Sequence, residues 1–164
     1  MRSRAVNKMS VAKIKQQTLD LENHSKRDVR TQFGAFCWRK RKNGHEVLLV
    51  TSRRSKRWIL PKGWPVDGAT PAEAALTEAW EEAGVVGKVR PICMGIYSYY
   101  KDLDEDTDLP CVVAVFPVKV KSLAKQWPEM KLRKRKWVSP KQASKLVQEP
   151  ELAALLRNSD PLAL

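Results

Sequence analysis

The stretch from Thr70 to Gly84 has little freedom in what it folds into. Thr70 suits a helix N-cap, Pro71 suits the first helical position, and Glu73 completes a reciprocal capping box. Gly84 suits the left-handed residue that ends a helix. The spacing therefore predicts a helix over Pro71–Ala83. At about 100° per residue, Ala72, Leu76, Ala79, Trp80 and Ala83 share one face and are expected to pack inward. Glu78, Glu81 and Glu82 fall on the opposite side, outside the core. They stand at i, i+3 and i+4, so their carboxylates converge.

Such carboxylates repel. Two unit charges ~5 Å apart at an effective dielectric near 20 cost roughly 3 kcal/mol. No Lys or Arg lies between Pro71 and Ala83 to relieve this. The plain reading is a solvated acidic face. A divalent cation with oxygen ligands relieves the repulsion better, and Mg²⁺ is the usual ion where phosphates complete the coordination, with Mn²⁺ as the alternative.

The surrounding charge suits such a ligand. Lys and Arg number 31 against 18 Asp and Glu, a formal net charge of +13. That balance favours anionic partners: polyphosphates, nucleic acid or an acidic surface. Arg53, Arg54, Lys56, Arg57 and Lys62 cluster just before the helix and read as a phosphate cradle. Arg133 and Arg135 alternate with Lys134 and Lys136, so a strand would send one pair to each side, with one pair able to reach a ligand. The acidic run Asp104, Glu105, Asp106 and Asp108 reads first as a polar hairpin loop. Trp58 and Trp64 read as packing or loop anchors, and no catalytic Ser or Cys stands in a recognisable setting.

Around the helix, strands are expected at "TQFGAFCWRK", "HEVLLVTSR", "RWILP", "KVRPICMGIYSYY", "PCVVAVFPVKV" and "RKRKWVS". Helices are expected at "SPKQASKLV" and "PELAALL". Residues 1–28 read as a basic tail, and 29–164 as one α/β domain. Cys37, Cys93 and Cys111 are widely spaced, lie in apolar runs and form no CxxC pair, which points to reduced core residues in a cytoplasmic protein. No apolar run approaches the ~18 residues of a membrane span.

The stretch "GWPVDGATPAEAALTEAWEEAGV" resembles a Nudix box, whose pattern is G-x5-E-x7-R-E-U-x-E-E-x-G-U, with U aliphatic. Gly63, Glu78, Glu81, Glu82, Gly84 and Val85 match in position. Ala69 stands where the family has its first glutamate, and Thr77 where it has an arginine that helps orient the glutamates. "EVLLVTSRRSKRWILPKG" and "LRKRKWVSPKQASKLV" are similar to stretches of diphosphoinositol polyphosphate phosphohydrolases, so the likeness runs over about residues 30–150.

The resemblance implies an α/β/α sandwich with a mixed sheet and metal-dependent hydrolysis of a phosphoanhydride. The substrate it implies is a small anionic polyphosphate, either a diphosphoinositol polyphosphate or a dinucleoside polyphosphate. Glu81 and Glu82 are then metal ligands, Glu78 a further ligand or the general base, and the Gly63 carbonyl an additional ligand. Arg53, Arg57, Lys62 and Arg133 are the expected substrate contacts. Removal of pyrophosphate from an RNA 5′ end is a less favoured reading, because no aromatic-basic RNA motif stands out. A ligand-binding module with little turnover is another, motivated by Ala69 and Thr77.

Overall fold

The computed structural model describes residues 25, 27–102 and 108–164. Its centre is one mixed sheet of eight strands. In chain order these are β1 (Arg30–Arg41), β2 (Gly44–Thr51), β3 (Trp58–Ile59), β4 (Lys62–Gly63), β5 (Val85–Val89), β6 (Gly95–Asp102), β7 (Asp108–Leu123) and β8 (Arg135–Val138). The helices are α1 (Pro71–Ala83), α2 (Pro140–Leu146) and α3 (Pro150–Asn158). β1 runs parallel to β7, from Arg30 opposite Cys111 to Trp38 opposite Lys119, and every other pairing is antiparallel.

Strand alternation sorts the core into two layers. Ala35 and Cys37 of β1, Leu48 and Val50 of β2, and Phe116 and Val118 of β7 meet the alanines of α1. Their neighbours Phe36, Trp38, Val47, Leu49, Val113 and Val115 face the other way, onto Ala143 of α2 and Leu152, Leu155 and Leu156 of α3. Those three leucines are fully buried, and each contributes roughly 2 kcal/mol. Helices thus cover both faces, as the expected α/β/α sandwich requires.

The helix ends form as their sequences predict. Thr70 Oγ1 accepts the Glu73 N–H at 3.2 Å, and Glu73 Oε2 accepts the Thr70 N–H at 3.4 Å. Gly84 sits at φ 65°, and a Cβ there would also press on Arg135 Nη1 at 2.9 Å. Ser139 caps α2 in the same way, with Gln142 closing the box.

Several expectations need correction. The segment "KVRPICMGIYSYY" is not one strand. Pro91 has no N–H to give a ladder, and the chain breaks into β5 and β6, laid end to end along one edge of β7. The break is stitched by Arg90 N–H to the Pro117 carbonyl at 3.0 Å and Met94 N–H to the Val115 carbonyl at 2.8 Å. The two-residue strand β4, too short for any periodicity, pairs with Phe33 and Gly34. Trp80 does not pack inward; it is 39% exposed. Glu82 is not outside the core; it is 5% exposed. Both follow from the same cause: α1 rests on Ala72, Ala75, Ala79 and Ala83, and that small-residue face takes in the adjacent Glu82 while a bulky indole is turned out. The tail expected at 1–28 and the acidic run at 104–106 lie almost wholly outside the described residues.

Candidate active site

β4 brings Gly63 directly under α1. A Cβ on Gly63 would lie 2.3 Å from the Glu78 carboxyl carbon, so Glu78 rests on bare backbone. One turn later, Glu82 Oε1 accepts from Arg133 Nη2 at 3.1 Å and Oε2 accepts from the Lys62 N–H at 3.3 Å. Burial pushes the Glu82 carboxyl up to about 7, against the opposing pull of Arg133 and Lys62. Burial also raises Glu78, with Glu81 and Glu129 adding to the effect. On the Lys62 side chain, burial works the other way and lowers the ammonium to about 8.

The glutamate turn is held from behind by the chain between β7 and β8. Glu129 N–H donates to the Glu81 carbonyl at 3.0 Å, and Trp127 Nε1 donates to the Glu82 carbonyl at 3.0 Å. Arg135 Nη1 donates to the Ala83 carbonyl at 2.8 Å while its guanidinium lies 3.8 Å from the centre of the Trp127 ring. These carbonyls have no partners within the helix and carry its negative dipole end. α1 has no basic residue in its own last turn, so Arg135 supplies that charge from β8.

The carboxylates face a cleft of about 480 Å³. The same cleft is lined by cations, Arg53, Arg54, Arg57, Lys62 and Lys101. Arg57 Nη1 pairs with Glu149 at the start of α3, and Glu149 is itself buried. The loop bearing Arg53 and Arg54 is closed by Ser52 N–H to the Arg57 carbonyl at 2.8 Å. It turns on Lys56, held at φ 54°, whose Nζ reaches the Leu132 carbonyl at 3.2 Å. The aromatic faces carry ammonium groups: Lys62 Nζ stands 4.6 Å from the Tyr99 ring centre and Lys101 Nζ 5.5 Å from that of Trp64.

The donor set fits a hard divalent ion. Every candidate ligand is an oxygen, and the burial and mutual repulsion that raise Glu78 and Glu82 are what a cation would relieve. Among the described residues, no three His, Cys, Asp or Glu side chains converge as a ready-made cage.

A model of the NUDIX domain matches residues 30–158. The chain belongs to the NUDIX domain family. It is 38% identical over 107 residues to Nudix hydrolase 12, mitochondrial, of Arabidopsis thaliana, covering 63% of this chain and 53% of that one. It thus spans about half the length of that relative. It is 31% identical over 134 residues to diphosphoinositol polyphosphate phosphohydrolase 3-alpha of Mus musculus, covering 80% and 74%. The C. elegans Ap4A hydrolase in a binary complex shares the fold, with a TM-score of 0.58 at 21% identity over 78% of this chain and 93% of that one.

Within this Nudix fold, Gly63, Glu78, Glu82, Arg53, Arg57, Lys62 and Arg133 all line one cleft. Glu81 does not line it; its side chain is exposed on the Nudix helix, beside Glu78. Arg133 and Arg135 part company, the first to Glu82 and the second to the helix end. Sequence reasoning missed Gln32, Tyr99, Lys101 and Glu129 in the cleft wall. The alternation of β6 signals Tyr99, an inward position of "IYSYY". Glu129 carries no local signal, since only the loop's docking on the Nudix helix brings it there.

Proposed function

We propose that this Nudix protein hydrolyses a phosphoanhydride bond in a small anionic polyphosphate, with Mg²⁺ or Mn²⁺ as cofactor. The observation that carries the reading is the presence, in one cleft, of Glu78 and Glu82 together with Arg53, Arg57 and Lys62. Glu82, the exposed Glu81 and the Gly63 carbonyl are the groups that would hold the ion, which leaves Glu78 for the role of general base. When bound, such an ion would neutralise phosphate charge and lower the pKa of a water. Arg57, already aligned by Glu149, receives phosphate oxygens with its remaining donors, and Lys62 and Arg53 add charge to the same cleft. Water attacks phosphorus, its proton passes to a Glu78 carboxylate oxygen, and the anhydride P–O bond breaks. Burial of Glu78 raises its proton affinity and suits it to that task.

The lysines over Tyr99 and Trp64 favour a ligand recognised by its phosphates over one recognised by stacked bases. A diphosphoinositol polyphosphate or a dinucleoside polyphosphate meets that description through its phosphate chain, and the names of the mouse relative and the C. elegans structure support the same range. Of the three cysteines expected in the core, Cys37 and Cys111 are buried and Cys93 is exposed; free thiols suit the reducing cytoplasm.

The test is a panel of inositol pyrophosphates, dinucleoside polyphosphates and 5′-triphosphorylated RNA, assayed with Mg²⁺, with Mn²⁺ and with chelator. Metal-dependent turnover of a small polyphosphate is expected. Tight binding without turnover across the panel would leave a ligand-binding module, and preference for the RNA would overturn the small-molecule assignment.

A further inference from the structure

The Nudix helix carries no Lys or Arg from Pro71 to Ala83, yet its buried carboxylate has a cation. That cation comes from the loop before β8. Arg133 Nη2 donates to Glu82 Oε1 at 3.1 Å and to Glu129 Oε1 at 3.4 Å, while Nη1 donates to the Thr51 carbonyl at 3.0 Å. The Arg133 side chain is 8% exposed. One planar fork thus ties the end of β2, the loop and the helix together. A rigid fork fixes the direction of a carboxylate as well as its charge, which a point-charge ammonium does not.

We propose that Arg133 is a positioning residue, holding the Glu82 carboxylate in the orientation that binds the metal ion, and not a substrate contact. This rests on the hydrolase reading above. Nη2 donates to two carboxylates and Nη1 to the Thr51 carbonyl, so only the second Nη1 N–H is left over, and a bidentate phosphate contact would have to displace one of those bonds. The remaining Nε is fully buried, out of reach of a ligand in the cleft. The phosphate contacts then fall to Arg53 and Arg57, which line the same cleft.

The experiment compares Arg133→Lys and Arg133→Met with the wild type by two readouts. The first is Mn²⁺ affinity without substrate, followed by the spin-resonance signal of free Mn²⁺. The second is kcat and KM with Mg²⁺ on a substrate from the panel. Positioning groups behind metal ligands typically contribute 10- to 100-fold, so both variants should bind Mn²⁺ at least about tenfold more weakly. In both, kcat should fall by a similar factor while KM stays within about threefold. A KM that rises about tenfold with Mn²⁺ affinity unchanged would make Arg133 a phosphate contact and overturn the proposal. Wild-type Mn²⁺ affinity in Arg133→Lys would reduce it to a counter-charge and overturn the proposal equally. Arg133→Met leaves a buried carboxylate without its cation and can unfold the chain; Arg133→Lys keeps the charge and then decides alone. A wild type that binds Mn²⁺ but hydrolyses nothing would sink the hydrolase reading, while the affinity comparison would still decide on Arg133.

Discussion

Glu78 lies against the Cα of Gly63 so closely that a single added methyl group at residue 63 would sit 2.3 Å from its carboxyl carbon. Gly63→Ala should therefore displace Glu78 while leaving its charge. Overpacking of this kind costs typically about 1–3 kcal/mol, and a misplacement of ~1 Å in a catalytic group can cost about a hundredfold in rate. Expected is a large fall in kcat alongside a modest fall in melting temperature. Full activity in Gly63→Ala would remove Glu78 from the reaction.

Arg57 and Glu149 make a second coupled pair, one facing the cleft and the other buried behind it. Glu149 Oε2 has no hydrogen-bond partner, so Arg57→Ala strands a buried carboxylate. The variant should lose stability, and Arg57→Ala with Glu149→Gln should regain most of it. KM should rise in both more than kcat falls, because the phosphate contact is missing from both. Equal stabilities of the single and double variants would show that the pair is not coupled.

The pH dependence of the metal-free protein should run opposite to that of a salt-bridged carboxylate. Folded Glu82 keeps its proton up to about pH 7, whereas the ordinary value is 4.5. Between these limits the folded state holds more protons than the unfolded chain, so stability falls as pH rises. The contribution is complete below pH 4.5 and lost by about pH 7, and Glu78 adds to it with the same sign. Thermal melts in chelator at pH 5 and pH 8 should show this fall, with a shallower one in Glu82→Gln. A parallel pair of profiles would mean that Glu82 does not titrate in this window.

Metal binding should reverse that trend, because the ion needs the deprotonated carboxylate. An ion at a hundredfold excess over its Kd stabilises the fold by about 2.7 kcal/mol. The wild type should gain melting temperature with Mg²⁺ or Mn²⁺ at pH 8, and Glu82→Gln should gain much less. Undiminished stabilisation in Glu82→Gln and in Glu81→Gln would defeat the metal assignment.

The capped helix was legible almost residue by residue, because its signals at Thr70, Pro71, Glu73 and Gly84 are local and each satisfies a backbone group within one turn. The depth of Glu82 was not legible. At about 100° per residue Glu82 lies only about 60° from Ala79, not on the opposite side as expected, and whether it is then buried depends on how closely the sheet approaches, which only tertiary packing decides. The partners of the cleft were hidden for the same reason. Arg133 is separated from Glu82 by 51 positions and Lys62 by 20, so no local pattern reports either contact.

Trp127→Phe offers a clean probe of the support behind the glutamate turn, since it removes chiefly the indole N–H that reaches the Glu82 carbonyl. A single hydrogen bond of this kind contributes about 1 kcal/mol. The variant should melt slightly lower, and hydrogen exchange should quicken at the end of α1 more than elsewhere. Uniform acceleration across the domain would assign Trp127 a general packing role instead.

The alanine face of α1 has a chemical consequence for the carboxyl group beside it. The buried methyl groups let the helix lie close to the sheet, and Glu82 beside them is kept from water. The acidity of an ionisable group in the cleft is thereby tuned by residues that carry no charge and never touch a ligand. A bulkier side chain at Ala75 or Ala79 would lift the helix, let solvent in, and draw the Glu82 carboxyl back toward the ordinary carboxylate range.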